Sequence, residues 1–331
     1  MSTSARNRAL LFVLAGFLVV GGGLAWWAYA PYLPPSGSRV EIKSGASLSR
    51  IAHTLAEQDI IRSALAFRLL ARLQDKDSAI QAGSYAFDKA ATPAEILQRL
   101  VEGDVLQSSV TIPEGFSLKQ IVERLVALEV ADRQRLQDAA GDPQLIAILG
   151  VDARDLEGFL FPETYRFVPG ISERELLGMM VEEFERQYRR LQPELPADLW
   201  LSKYELVTLA SIIQKETGIV DEMPLISSVF YNRLRRGIPL QTDPTVIYGI
   251  PDFNGNLTRA DLQRSSPYNT YLNRGLPPGP IASPGLAALR AAANPAESQF
   301  LYFVARGDGS HQFSATLREH NRAVRKYQLS H

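Results

Sequence analysis

Apolar positions recur at helical spacing through the middle of the chain. Leu209, Ile213, Glu216 and Val220 follow one another at steps of four, three and four, which lays them on one stripe of a helix expected over 206–217. An acid thus stands where the pattern calls for an aliphatic side chain. Further helices are expected at 173–191, from Asp221 as N-cap to Arg236 with Gly237 closing it, and from Ser283-Pro284 onward. A strand at 300–305, a turn at Gly307-Asp308-Gly309 and a strand at 311–313 form an expected hairpin. Thr316 to Glu319 is a capping box for the last helix.

The first third carries an internal repeat. Val40-x-Ile42, Gly45, Ser47-Leu48 and Ile51 return as Val110-x-Ile112, Gly115, Ser117-Leu118 and Ile121. Each copy reads as a short strand, a glycine turn, a serine N-cap and an amphipathic helix. Between them the pattern gives a helix at 64–73, a strand at 84–87, and a helix opened by Thr92-Pro93-Ala94-Glu95. Such a unit resembles the LysM-like module of cell-wall proteins, or it is a scaffold without a ligand.

Ahead of the repeat, Ala9 to Ala30 contains no charged residue, about the length a helix needs to cross the hydrocarbon core. Arg6 and Arg8 precede it, which predicts a cytoplasmic N-terminus (residues 1–8), a transmembrane helix at 9–30 and an outward-facing remainder. A cleaved signal peptide is the alternative. Its small-x-small cleavage site is poorly matched by Trp26-Trp27-Ala28-Tyr29-Ala30-Pro31. Residues 31–38 read as a short stiff linker. The expected organisation is α+β: the transmembrane helix, a small LysM-like α/β module at 39–105, and a larger mixed α+β domain at 106–331 holding the second strand-turn-helix at 110–126.

Composition narrows the chemistry. The 331 residues are 46% hydrophobic with a net charge of -1, so neither nucleic acid nor an anionic surface is recommended as a partner by bulk charge. There is no cysteine, which removes disulfides and thiolate chemistry. His53, His311, His320 and His331 show no ligand spacing, so neither a metal nor another cofactor is expected.

The chemistry then falls to Glu216. Partial desolvation and the negative end of a helix closed by Gly218 would both raise its pKa and leave a proton for general acid catalysis. The alternative is a solvated last-turn glutamate. Three segments downstream, 240–249, 266–271 and 275–284, interleave aromatic rings with Asn, Gln, Thr and Asp among prolines and glycines. That mixture suits a sugar with its apolar faces and hydroxyls, or it is ordinary turn chemistry.

In this order, Leu209 to Thr217, Val229 to Leu234, Leu240 to Gly249, Tyr268 to Tyr271 and Gly275 to Pro280 resemble the MltG (YceG-like) family of endolytic murein transglycosylases. The resemblance extends over nearly the whole chain, with Gln214 where the family would have glutamate. It implies Glu216 as the catalytic acid and then base, with Gln241, Asp243, Tyr268, Asn269 and Tyr271 as candidates to hold the glycan. It also implies a membrane-anchored enzyme of the bacterial inner membrane with its catalytic domain outside the cytoplasm. That enzyme would cut the MurNAc–GlcNAc bond within nascent peptidoglycan strands, close to the peptidoglycan synthases. The competing expectations are a hydrolase pairing Glu216 with Asp243 or Glu163, and a wall-binding scaffold without catalysis.

Overall fold

The computed structural model describes residues 22–23, 26–35, 37–150 and 152–329. Residues 1–8 and most of the expected transmembrane run at 9–30 lie outside the described residues. Among the described residues no helix is long and apolar enough to cross a membrane. The described residues form a mixed α+β architecture, with three two-stranded sheets among many helices. The chain divides into two units, the first running to Ser108 together with Phe167–Pro169, the second formed by Ser109–Arg166 and the residues after Pro169.

The first unit runs β1 (Ser38–Ile42), α1 (Leu48–Glu57), α2 (Ala64–Leu73), β2 (Gly83–Phe87) and α3 (Pro93–Glu102). Strands β1 and β2 pair antiparallel, with Val40 opposite Tyr85. Ser47, Ser63 and Thr92 cap the three helices, and Thr92 with Glu95 closes the expected capping box. Val40, Ile51, Leu55, Phe67, Tyr85, Phe87, Leu97 and Leu100 meet in its core. The segment expected as a linker is fastened down. The N–H and C=O of Tyr32 both pair with Ala91, at 2.9 Å each.

The second copy of the repeat follows as β3 (Ser108–Thr111) and α4 (Leu118–Ala127), all but Ser108 belonging to the second unit. Gly45 and Gly115 occupy the left-handed region at φ 76° and 74°, and Ser117 caps α4 as Ser47 caps α1. Strand, turn and helix therefore recur as expected. After α5 (Arg133–Ala140) and α6 (Pro143–Ile148), β4 (Thr164–Phe167) pairs with β3. Helix α7 (Glu173–Leu191) follows, then α8 (Lys203–Glu216), α9 (Met223–Arg235), α10 (Asp243–Tyr248), α11 (Arg259–Leu262) and α12 (Leu286–Ala293). The hairpin β5 (Tyr302–Ala305) and β6 (His311–Ser314) and helix α13 (Leu317–Tyr327) end the fold.

Helix α8 is its axis. Every residue from Leu206 to Ile213 is buried, so the helix is enclosed on all sides rather than on one stripe. It packs chiefly on α12. Ser211 fastens the loop before α12 by accepting the N–H of Ile281 at 3.0 Å. Gln214 accepts the N–H of Gly285 at 2.9 Å, a bond that a glutamate oxygen could make equally well.

Several expected boundaries move. Helix α8 ends at Glu216, and Thr217, extended at φ -146° and ψ 143°, terminates it in place of Gly218. Val220 therefore leaves the stripe for a short 3-10 turn and is exposed. That turn displaces the start of α9 to Met223, so Asp221 does not cap it. Gly285, not Ser283, precedes α12.

Candidate active site

Glu216 is the last residue of the enclosed helix, so the path of α8 delivers its carboxyl from the core to an edge. There it borders a cleft of about 530 Å³ that is also lined by Arg233, Gln241, Asp243, Tyr271, Tyr302, His311 and His320. Its residue is half-buried, and the Thr242 hydroxyl donates to Oε1. Burial pushes its pKa up to about 7. The Thr242 bond opposes that rise, the charge of Asp243 adds to it, and His311 and Arg233 pull it back. Among the described residues no ion pair holds it. The carboxyl thus keeps a proton near neutrality while remaining reachable.

Short helix α10 supplies the facing wall. Thr242 N–H bonds to Thr270 Oγ1 at 3.1 Å, and Thr245 Oγ1 lies 2.8 Å from the same oxygen, which pins the α10 start to the 266–271 loop. Gln241, just ahead, sits in the left-handed region at φ 50°, where a non-glycine residue is strained. Its N–H donates to Thr270 O at 3.1 Å. Asp243 is exposed in the cleft and accepts the Tyr271 hydroxyl at 2.6 Å. Burial, and then the Asp243 carboxylate, hold that phenol well above its ordinary pKa.

Of the candidates named from sequence, Gln241, Asp243 and Tyr271 share this cleft with Glu216. Asn269 does not line it. Its side chain is buried, donates to Leu262 O at 3.0 Å and Arg264 O at 2.8 Å, and accepts Tyr271 N–H at 2.9 Å. It shapes the loop that carries Tyr271. Tyr268 is also absent from the cleft, with its ring 4.7 Å from that of Tyr248. Glu163 is exposed and accepts the N–H of Thr164, outside the cleft.

Sequence reasoning missed Thr242, Arg233 and His311. Arg233 is buried, donating Nε to Leu301 O at 2.6 Å and Nη1 to Leu240 O at 2.8 Å, with its guanidinium over the Tyr302 ring. It joins β5 to the segment before α10. His311 Nδ1 lies 2.7 Å from Glu222 Oε2. Arg233 lies in the Val229 to Leu234 stretch, and a charged side chain amid the apolar residues of that expected helix was the available signal.

A second and larger cleft, about 1050 Å³, is lined by Lys119, Asp155, Glu157, Lys215, Pro244 and Tyr248 among others. Burial also pushes its Glu157 to about 7. The two carboxyls differ in what they touch. Glu157 is 6% exposed, and its oxygens are taken by Leu118 N–H at 3.0 and 3.1 Å and by the Tyr248 hydroxyl at 3.0 Å. It closes the start of α4. Glu216 has one donor and an open side, so of the two it is the carboxyl left accessible from its cleft.

Fold and site together define a mixed α+β protein that holds a carboxyl of raised pKa at the edge of an aromatic and polar cleft. The chain belongs to the YceG-like family, whose profile matches residues 40–326. An endolytic murein transglycosylase of Bacillus subtilis (strain 168) is 34% identical over 304 residues, covering 87% of this chain and 84% of the relative. One from Streptococcus pneumoniae (strain D39) is 29% identical over 320 residues, covering 87% of this chain and 58% of that longer protein. The crystal structure of a YceG-like protein of Listeria monocytogenes superposes with a TM-score of 0.57. It is 33% identical, and the match covers 86% of this chain and 97% of that one.

Proposed function

We propose that this chain is a lytic transglycosylase that cuts the MurNAc–GlcNAc bond within peptidoglycan strands, with Glu216 as its single acid and base. The observation carrying this reading is the Glu216 carboxyl, desolvated to a pKa of about 7 yet facing an open cleft. The family and the names of the relatives support the same chemistry.

With Thr242 donating to Oε1, Oε2 is the oxygen left to carry the proton. Glu216 gives it to the glycosidic oxygen as the bond from the muramic acid C1 breaks, leaving an oxocarbenium-like sugar. The resulting carboxylate then takes the C6 hydroxyl proton of the same muramic acid. The C6 oxygen closes on C1 to form a 1,6-anhydro ring. One bond breaks, one forms, the proton count is unchanged, and no water enters. Asp243, held by Tyr271, supplies negative charge beside the developing cation, and Gln241 borders the same space. No cofactor takes part in this scheme.

A second reading uses Asp243, the other carboxylate of this cleft, to activate water. Mass analysis of products from purified peptidoglycan decides. Anhydro ends are lighter by one water than reducing ends, and reducing ends alone would replace the lyase by the hydrolase. A scaffold without catalysis is the third reading, which unaltered glycan after incubation would favour.

In this reading the apolar run 9–30 is a single-pass anchor with Arg6 and Arg8 inside. The rest of the chain then lies outside the cytoplasm, within reach of nascent strands and their synthases. The order β1-α1-α2-β2, with its strands paired antiparallel, suits a LysM-like module in the first unit.

A further inference from the structure

Helix α2 of the first unit has two apolar faces. Phe67, Leu70 and Ala71 enter the core. Leu65, Leu69 and Leu73, at steps of four, form a second stripe that is 74%, 44% and 66% exposed. Three aligned exposed leucines on a ten-residue helix are not the scattered apolar residues of an ordinary surface. The charged residues of α2 are Arg68 and Arg72, without an acid, and Arg62 precedes its cap.

The segment that leaves the apolar run is fixed beside the start of this helix. Trp27 and Ala28 pack against the core of the unit. Arg62 stacks 4.9 Å over the Tyr32 ring, and Trp26 and Ile60 line a small cavity with both. Trp26 and Tyr29 are nevertheless 69% and 67% exposed. No slack separates the end of the run from α2, so whatever surrounds the run at residue 30 also reaches the start of the helix.

We propose that the exposed face of α2 rests on the bilayer. Leu65, Leu69 and Leu73 enter the headgroup–acyl boundary beside Trp26 and Tyr29, and Arg62 and Arg72 meet anionic headgroups. This inference rests on the anchor reading above. The first unit would then be held flat against the membrane, instead of swinging on a tether.

The chain lacks cysteine, so Leu69→Cys in the full-length protein gives a single labelling site. The variant is reconstituted into phosphatidylethanolamine–phosphatidylglycerol vesicles, with a fluorophore at 69 or, as reference, at Ser44→Cys on the exposed β1–α1 turn. Lipids brominated on their acyl chains should quench the label at 69 at least threefold more than the label at 44. Quenching at 69 should fall when phosphatidylglycerol is replaced by phosphatidylcholine, and an unchanged value would remove the headgroup role of the arginines. If the protein floats with the vesicles but the label at 69 escapes bromolipid, the inference fails while the anchor stands. Shielding at 69 that follows protein density rather than lipid would place a second copy there and overturn it equally. Failure to float would remove anchor and inference together.

Discussion

The Thr242 side-chain hydroxyl donates to Oε1 of Glu216, joining the residue that caps α10 to the last residue of α8. A donor to the carboxylate lowers its pKa, so this bond holds Glu216 below the value that burial alone would set. Thr242→Val keeps the shape and removes the donor. Its backbone bond to Thr270 is untouched. The alkaline limb of the pH–activity profile should move upward by up to about one unit, because the acid retains its proton to higher pH. An unmoved limb would show that Thr242 does not tune the catalytic acid.

Glu216→Gln should leave a folded protein with glycan cleavage reduced by about 10²–10⁴, the usual contribution of a general acid–base group. Circular dichroism and product counting on the same preparation check both halves. Substantial remaining activity would move the acid to another carboxyl, with Asp243 first in line.

The same group governs stability against pH. In the unfolded chain a glutamate loses its proton near 4.5, whereas folded Glu216 keeps it to about 7. Folded protein therefore binds the extra proton between those values, and stability falls as pH rises through that window, levelling off above it. At about 1.4 kcal/mol per pKa unit, the span from 4.5 to about 7 makes the loss roughly 3 kcal/mol. Glu216→Gln should be more stable than wild type at pH 7.5 and equal to it near pH 4. In the variant Glu157, which has a similar value, leaves a slope of the same sign, and His320, held below its usual value by burial, adds an opposing one. Melting curves across pH 4–8 measure both.

Arg233 holds carbonyls of Leu240 and Leu301 with different nitrogens of one planar group. A lysine ammonium cannot span the two positions. Arg233→Lys should cost about 2–3 kcal/mol by chemical denaturation, with Gln241 and the start of α10 loosened. A neutral substitution would mean that the cleft wall is fixed by other bonds.

Gly158 has φ 82°, and a Cβ there would come within 2.4 Å of Pro280. Gly158→Ala should therefore destabilise by about 2–3 kcal/mol, from backbone strain and overpacking together. Movement of the 275–281 loop in its spectrum would accompany the loss.

The elements with strong local signals were legible in the chain. The repeat, the capping boxes at Thr92 and Thr316 and the 302–314 hairpin depend on nearest-neighbour chemistry and stand where the pattern put them. Glu216 stood out because its acid interrupts an apolar period, and it ends α8 at the edge of a cleft. Helix α10 was hidden because six residues are too few for a period to show. Asn269 and Tyr268 looked like sugar contacts, but a buried amide satisfied by Leu262 and Arg264 is distinguished from a ligand-facing one by its partners alone. Thr242 and Arg233 reach Glu216 from other elements, and such tertiary proximity leaves no mark on spacing along the chain.

The proton on Glu216 can be observed without any substrate. Carbon-13 NMR of the glutamate side-chain carboxyls, assigned by comparison with Glu216→Gln, follows its titration directly. A midpoint near pH 7, rising in Thr242→Val, is the result expected here. A midpoint between 4 and 5 in the folded protein would mean a carboxylate already ionised at neutral pH, and would contradict the assignment of Glu216 as the acid.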